Sequence, residues 1–510
     1  MESSFNRTQN APAHAAGHHA KTLRRTLAAL SGLVILTGPA LAGDTGKQTA
    51  PIESAIWEKP AWLTDLSLRV GESYDTNVFL SGANINQDGD RLIIPDSTKA
   101  SGVNTIALPD GTIAYKNKAS AVTTISPKIG VDFAKLLSSD SILKVFTLGY
   151  APDFVIYHDA DTESYAAHRI TTTVKAKAEN VTVALDNAFT YIDGSADSVL
   201  FPGGASAYAN GTVRERRDQW QDRTKASVKI DVGQAFIRPT FSLLYYDLGT
   251  NFKNAALAEN KGYSNFIDRY DINGGADLGY NVTKNVAFTL GYRYGHQDQA
   301  SLPDTVSSLS STAYTYQTNV SNDYQRVLFG VEGSPLKWLK VEASVGPQFT
   351  TYTDSRPYNS GVVALGQIDD NTTDVYAEAS VTIAPTATDA LVFKYKRWNW
   401  VSSTGVNAYL DSLYDASYRH QITKDLQLEL GLRASQSDYN PSSLRNDWDY
   451  TASAGLKYSI TKNLIWDVSY AYDKGHNDQL VGNAVTGAFV DSSTREFERS
   501  IVSTGVTWKF

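Results

Sequence analysis

The sequence predicts an all-β protein: a single closed antiparallel transmembrane β-barrel of about 18 strands (16–18), with short periplasmic turns and long extracellular loops. Three observations predict it. Apolar and polar residues alternate with the period of two that belongs to strands. The links between alternating runs are short and long by turns. Beyond the N-terminal segment, no stretch offers the ~20 apolar residues that a spanning helix needs.

The alternating runs are 63–79, 119–134, 142–157, 168–178, 181–193, 220–233, 236–248, 266–280, 285–298, 322–333, 338–352, 372–384, 389–400, 409–420, 425–438, 446–458, 464–474 and 494–510. In 425–438, Leu426, Leu428, Leu430 and Leu432 share one face, and Gln427, Glu429, Gly431 and Arg433 share the other. In 285–298, Phe288, Leu290, Tyr292 and Tyr294 oppose Ala287, Thr289, Gly291 and Arg293. A soluble sheet with one wet face shows the same alternation, so periodicity alone does not decide.

The links decide. After even-numbered strands they are short: 135–141, Glu179-Asn180, Gln234-Ala235, 281–284, 334–337, 385–388, 421–424 and 459–463. After odd-numbered strands they are mostly long and polar: 80–118, 194–219, 249–265, 299–321, 353–371 and 475–493. A membrane barrel sorts its loops in this way, whereas a soluble sandwich or propeller has no reason to do so. Three short links share one chemistry: Val282–Val286, Ile422–Leu426 and Ile460–Leu464 each place Thr-Lys-Asn or Thr-Lys-Asp between two apolar residues. Asn and Asp tolerate left-handed backbone, which predicts that Asn285, Asp425 and Asn463 make the turns.

The ends of the chain agree. Lys21, Arg24 and Arg25 precede an apolar run from Thr26 to Thr37, and Ala40-Leu41-Ala42 follows. This is the pattern of a secretory signal peptide with cleavage after Ala42. An upstream start codon would account for the polar tail 1–20. The expected organisation is 1–42 as polar tail plus signal peptide, 43–62 as a periplasmic leader, and 63–510 as the barrel. At the other end Phe510, Trp508 and Val506 share an apolar face with Thr504 and Val502. A final strand ending on Phe resembles the closing strand of bacterial outer-membrane barrels, which implies that Phe510, Trp508 and Val506 are the signal read by the barrel-assembly machinery.

Composition excludes several classes. The whole chain carries a formal net charge of −8, and loss of 1–42 removes four basic residues and only one acid. Nucleic acid, which demands a basic surface, is therefore not an expected partner. No cysteine is present, so there is no disulfide framework, thiol nucleophile or Cys-metal site. The 29 Tyr and 9 Trp suit membrane interfaces.

The first run contains Tyr74, Asp75, Asn77, Val78 and Phe79 within 70–81. This stretch resembles the opening strand of the putative β-barrel porin 2 family of Gram-negative outer-membrane proteins. The resemblance implies an outer-membrane location and a channel, and some members of that family accompany exopolysaccharide secretion. It implies no functional residue.

No constellation marks an enzyme. The histidines beyond the signal, His158, His168, His296, His420 and His476, have no metal-ligand spacing. The run Asn84–Asp90 imitates a calcium loop with Gly89 in sixth place, yet its twelfth position is Pro95 and not the bidentate Glu that calcium requires. No metal and no cofactor are expected. The chemistry-bearing residues are inward charges. Alternation turns Arg223, Lys225, Lys229, Arg269, Arg293, Lys394, Lys396, Arg433, Arg495 and Arg499 to the lumen, with Asp231, Asp271, Glu429 and Asp467. Opposed rings of such charges set ion selectivity in pores; paired across strands, they only solvate the wall. A long loop folded inward would narrow the bore, with 80–118 the first choice.

The expected function is passive diffusion of small polar solutes, because a barrel of ~16–18 strands leaves an aqueous channel. The alternatives are an accessory barrel of exopolysaccharide secretion and, from another class, a surface enzyme or adhesin on a plugged barrel. A TonB-linked transporter would need ~22 strands and a plug domain. Expected partners are outer-membrane lipid and lipopolysaccharide, the assembly machinery, the solutes, and a second copy in a homo-oligomer.

Overall fold

The computed structural model describes residues 59–78, 87–88, 91–94, 105–107, 113–115, 119–160, 163–194, 218–248, 268–299, 321–352, 371–401, 408–440, 445–482, 489–491 and 497–510. The segment 1–42, most of the leader, most of the long loops and Arg495 lie outside the described residues.

Eighteen strands form the wall. They are β1 (Leu63–Asp75), β2 (Ser120–Asp132), β3 in two segments (Leu143–Tyr150 and Asp153–Tyr157), β4 (Tyr165–Ala178), β5 (Val181–Asp193) and β6 (Gln219–Val232). Then come β7 (Ala235–Asp247), β8 (Arg269–Thr283), β9 (Val286–Gln299), β10 (Asn322–Leu336), β11 (Leu339–Tyr352) and β12 (Asn371–Ile383). The last six are β13 (Asp389–Val401), β14 (Ala408–Gln421), β15 (Leu426–Asn440), β16 (Arg445–Ser459), β17 (Leu464–Gly482) and β18 (Phe497–Lys509). Each pairs antiparallel with its sequence neighbours. β18 pairs with β1, from Lys509 opposite Ser67 to Ile501 opposite Asp75, and the barrel is closed. Closure removes the sheet edges that would otherwise recruit other strands.

The two faces follow the alternation. Phe288, Leu290, Tyr292, Phe329, Leu432, Val502 and Val506 belong to a belt of large apolar side chains exposed on the outside. Leaving such side chains in water forfeits up to about 1.5–3 kcal/mol each, so this wall requires an apolar surrounding. Aromatic rings stack from strand to strand on the outer face near the long-loop end. Trp220 lies 4.6 Å from Tyr245, Tyr245 lies 6.4 Å from Tyr270, and Tyr270 lies 6.0 Å from His296. At the short-turn end Trp508 stacks on Phe510 at 5.5 Å. Two aromatic belts flanking an apolar band are the outer surface of a membrane barrel. Among the described residues no helix is long and apolar enough to cross a membrane.

Three local expectations change. The third run is broken at Ala151 and Pro152, because proline has no N–H to give the ladder. The loop 80–118 contains four short strands, Gln87–Asp88, Arg91–Ile94, Thr105–Ala107 and Ile113–Tyr115, which pair as a separate sheet. The repeated turns do not rest on left-handed Asn or Asp, since the only non-glycine with positive φ among the described residues is Glu179, at 46°. The threonine makes the turn instead. Thr423 Oγ1 accepts the N–H groups of Asp425 and Leu426, at 3.3 and 3.1 Å. Thr461 Oγ1 accepts those of Asn463 and Leu464, at 3.2 and 3.0 Å, and Thr283 Oγ1 accepts that of Asn285 at 3.2 Å. A side-chain acceptor at this position substitutes for the missing backbone partner of a tight turn.

Candidate functional site

The inner wall is polar at almost every level. The register puts Arg223, Lys225, Lys229 and Asp231 of β6 on it, with Arg269 and Asp271 of β8 and Arg293 of β9. Lys394 and Lys396 of β13, Glu429 and Arg433 of β15, Asp467 of β17 and Arg499 of β18 share that face. Most of these charges pair locally rather than forming separate rings. Arg433 meets Asp415 at 2.9 Å, Lys229 meets Asp231 at 2.9 Å and Arg293 meets Asp277 at 2.6 Å. Arg499 meets Asp75 at 2.7 Å, and Asp467 takes Arg69 at 2.7 Å. Opposite charges this close on the wall attract one another and add charge-assisted hydrogen bonds. Phe510, Trp508 and Val506 point outward, and the Phe510 N–H donates to Leu66 O at 2.9 Å.

The bore is shaped by an element that alternation did not reveal. β13 pairs with β14 along its whole length, Asp389–Val401 against 408–420. Its pairing with β12 covers only 391–397, while β12 stays on β11 up to Asn371. Above Arg397 the wall therefore parts, and the β13–β14 hairpin bends into the lumen. Asn399, Val401, Ala408 and Ser412 lie on the parity that faces lipid lower down, yet all four are buried. Asn399 Nδ2 donates to Tyr352 OH and to Asp374 Oδ2, both at 3.2 Å, on the inner face of the neighbouring strands β11 and β12.

The freed edge of β13 is held from across the lumen. The carbonyls of Asn399 and Val401, two residues apart and so directed to one side of the strand, accept Gln297 Nε2 at 2.9 Å and Arg269 Nη1 respectively. The Arg269 guanidinium lies 4.9 Å from the Trp400 ring and 5.2 Å from that of Tyr246, a cation–π sandwich. Gln297 Nε2 also donates to Asp271 Oδ2 at 2.8 Å, and Tyr324 OH donates to Asp271 Oδ1 at 2.7 Å. Arg269, Gln297 and Tyr324 are 1% exposed or less, so this layer is packed and not merely lined with charge. Side chains reach across elsewhere as well: Lys225 of β6 and Glu378 of β12, six strands apart in the wall, meet at 3.5 Å.

The sequence reading did not name Arg69, Arg238, Asp277, Arg326, Glu332, Glu378 or Asp411. All have inward parity, and extending the alternation to every strand would find them. The inward hairpin had a signal of its own. Leu391, Phe393 and Tyr395 give way on the same face to Arg397 and Asn399, a polar break in a lipid-facing run.

The model of the family Putative beta-barrel porin 2 matches residues 369–491. That stretch spans β12 to β17 and so includes the inward hairpin; it is the family that the first strand resembles. With its closed wall, apolar outer band and charged lumen, the chain is a porin-like outer-membrane barrel. No curated relative matches. Among solved structures, it is similar to the outer membrane protein OpdK of Pseudomonas aeruginosa, with 9% identity over 88% of this chain and 99% of that one, TM-score 0.36. OccK2 (OpdF) of the same organism, solved with glucuronate, gives 8% identity over 88% and 98%, TM-score 0.36. The siderophore receptor PiuA of Acinetobacter baumannii gives 8% identity over 87% and 82%, TM-score 0.32. Such scores do not align sites, and the barrel is defined by its own strand pairing.

Proposed function

We propose that this barrel lies in a bacterial outer membrane, reached by way of the signal peptide in 1–42, and lets small polar solutes pass passively through a narrowed, water-lined lumen. One observation carries this reading: the inner face is charged and hydrogen-bonding around the wall while the outer face is apolar. Only a wet interior suits the first and only hydrocarbon the second. The inward β13–β14 hairpin is the constriction that limits solute size. Phe510, Trp508 and Val506 serve assembly, and lipopolysaccharide surrounds the long-loop end. The test is conductance in planar bilayers after insertion of the purified mature protein. Discrete conductance steps are the expected result; silence with the barrel shown folded by heat-modifiable gel migration would refute an open channel.

A further inference from the structure

We propose that the lumen contains an anion-selecting eyelet built by Arg223 and Lys225 of β6, Arg326 of β10 and Lys396 of β13, and that the solutes are small oxyanions, carboxylates or phosphates. This rests on the channel reading and names the charge of what passes.

Elsewhere on the inner wall many charges are cancelled by a neighbour. Arg169 has Asp153, Lys457 has Glu429, and Arg238 has both Asp277 and Glu332. At the eyelet the balance fails. Among the described residues Arg223, Arg326 and Lys396 form no salt bridge, and Lys225 has only its 3.5 Å contact with Glu378. Glu378 is itself shared: it stands opposite Lys396 in the register and accepts Tyr376 OH at 2.7 Å. Lys396 interacts electrostatically with Lys225, Arg223 and Arg326 as well as with Glu378, so cations from three separate strands gather at Lys396, while Glu378 answers only Lys225 and Lys396. Asp411 of β14 also reaches Lys396, but its Oδ1 is taken on the β15 side by Ser437 Oγ, which donates to it at 3.1 Å.

Two of the cations are positioned rather than loose. Arg326 lies 4.1 Å from the Tyr324 ring and 4.1 Å from the Tyr376 ring, and its Nε donates to Gln348 Oε1 at 2.7 Å. That leaves the two Nη groups, the fork that grips an oxyanion in bidentate fashion, with no hydrogen-bond partner among the described residues. Lys396 Nζ sits 4.3 Å from the Trp398 ring. Like charges held together in a narrow, partly dry bore repel one another, and a transient anion relieves that repulsion. Lys396 precedes Trp398 and Trp400 on the same face, so the eyelet sits directly beneath the inward hairpin. A solute held there is already aligned with the narrowest part of the path.

The test pairs two measurements on the full mature protein. In planar bilayers under a KCl gradient, the wild type should give a reversal potential on the chloride side. The Lys225→Glu/Lys396→Glu double variant should lower the chloride-to-potassium permeability ratio by roughly tenfold. In detergent, titration calorimetry with inorganic phosphate and separately with acetate should show binding to the wild type that the double variant loses. Channels without anion preference and without phosphate or acetate binding would overturn the eyelet and leave the channel standing. Binding lost in the variant, but with no conductance in either protein, would support the anion site and remove the channel. Gel migration of the folded barrel confirms that the variant is intact.

Discussion

The two ends of the lumen are built on opposite principles. Toward the long loops, polar side chains are buried: Arg269, Gln297, Asn322, Gln348, Thr350, Ser437 and Asp447 are each 1% exposed or less. Toward the short turns, the same chemical types stand in the open. Lys340 and Glu342 pair at 2.7 Å with more than half of each side chain exposed, and Lys457 and Glu429 are similarly wet. A buried polar group must find a partner or lose about 1–3 kcal/mol, so the outer half is a densely bonded network with little freedom to rearrange, Asn399 Oδ1 being an exception among the described residues. A wet ion pair contributes only about 0–1 kcal/mol, so the inner half is a solvated funnel. One strand wall therefore supplies both a rigid, packed layer and a loose, wet one.

The largest effect should come from releasing the hairpin. Arg269→Ala removes the Val401 bond and the contact with Trp400, and single-channel conductance should rise by roughly twofold or more if the hairpin sets the bore; equal conductance would mean that the narrowest point lies elsewhere. Next is the buried pair at the long-loop end. Asp75→Ala takes from Arg499 its hydrogen-bonded carboxylate and leaves only Asp473, at 3.8 Å, and unfolding titrations in detergent should show a loss of about 3–5 kcal/mol. A loss under 1 kcal/mol would show that water reaches this end too. Leu432→Arg on the outer belt should cost about 2–4 kcal/mol in lipid vesicles, which checks that the outward parity meets hydrocarbon. Thr423→Ala, which deletes a turn acceptor, should cost about 1 kcal/mol. Lys457→Ala at the open end should change stability by less than about 1 kcal/mol, and a larger loss would erase the contrast between the two halves.

Much of this molecule was legible in the chain. The strands appeared in the alternation because lipid outside and water inside impose opposite demands on successive residues. The Leu426–Leu432 face and its partner Gln427–Arg433 face are the plainest case. The turns were placed correctly but explained by the wrong residue: the repeat Thr-Lys-Asn was visible, and only the hydrogen bonds to Thr283, Thr423 and Thr461 showed which side chain closes it. The candidate site was half legible. Inward parity identified Lys225 and Lys396 separately, and nothing in the spacing says that strands seven apart in the wall bring their side chains together.

The sequence by itself determined the strand number, the direction of each side chain relative to its neighbours, and which ends carry long loops, because these are local consequences of a period of two and of turn length. Only the tertiary structure decided what each face meets. Asn399 and Val401 have lipid-facing parity and yet lie inside the barrel, because β13 leaves β12 after Arg397 and its edge carbonyls find Gln297 and Arg269 across the lumen. Parity assigns a side chain to a face; the path of the whole strand assigns that face to lipid, water or protein.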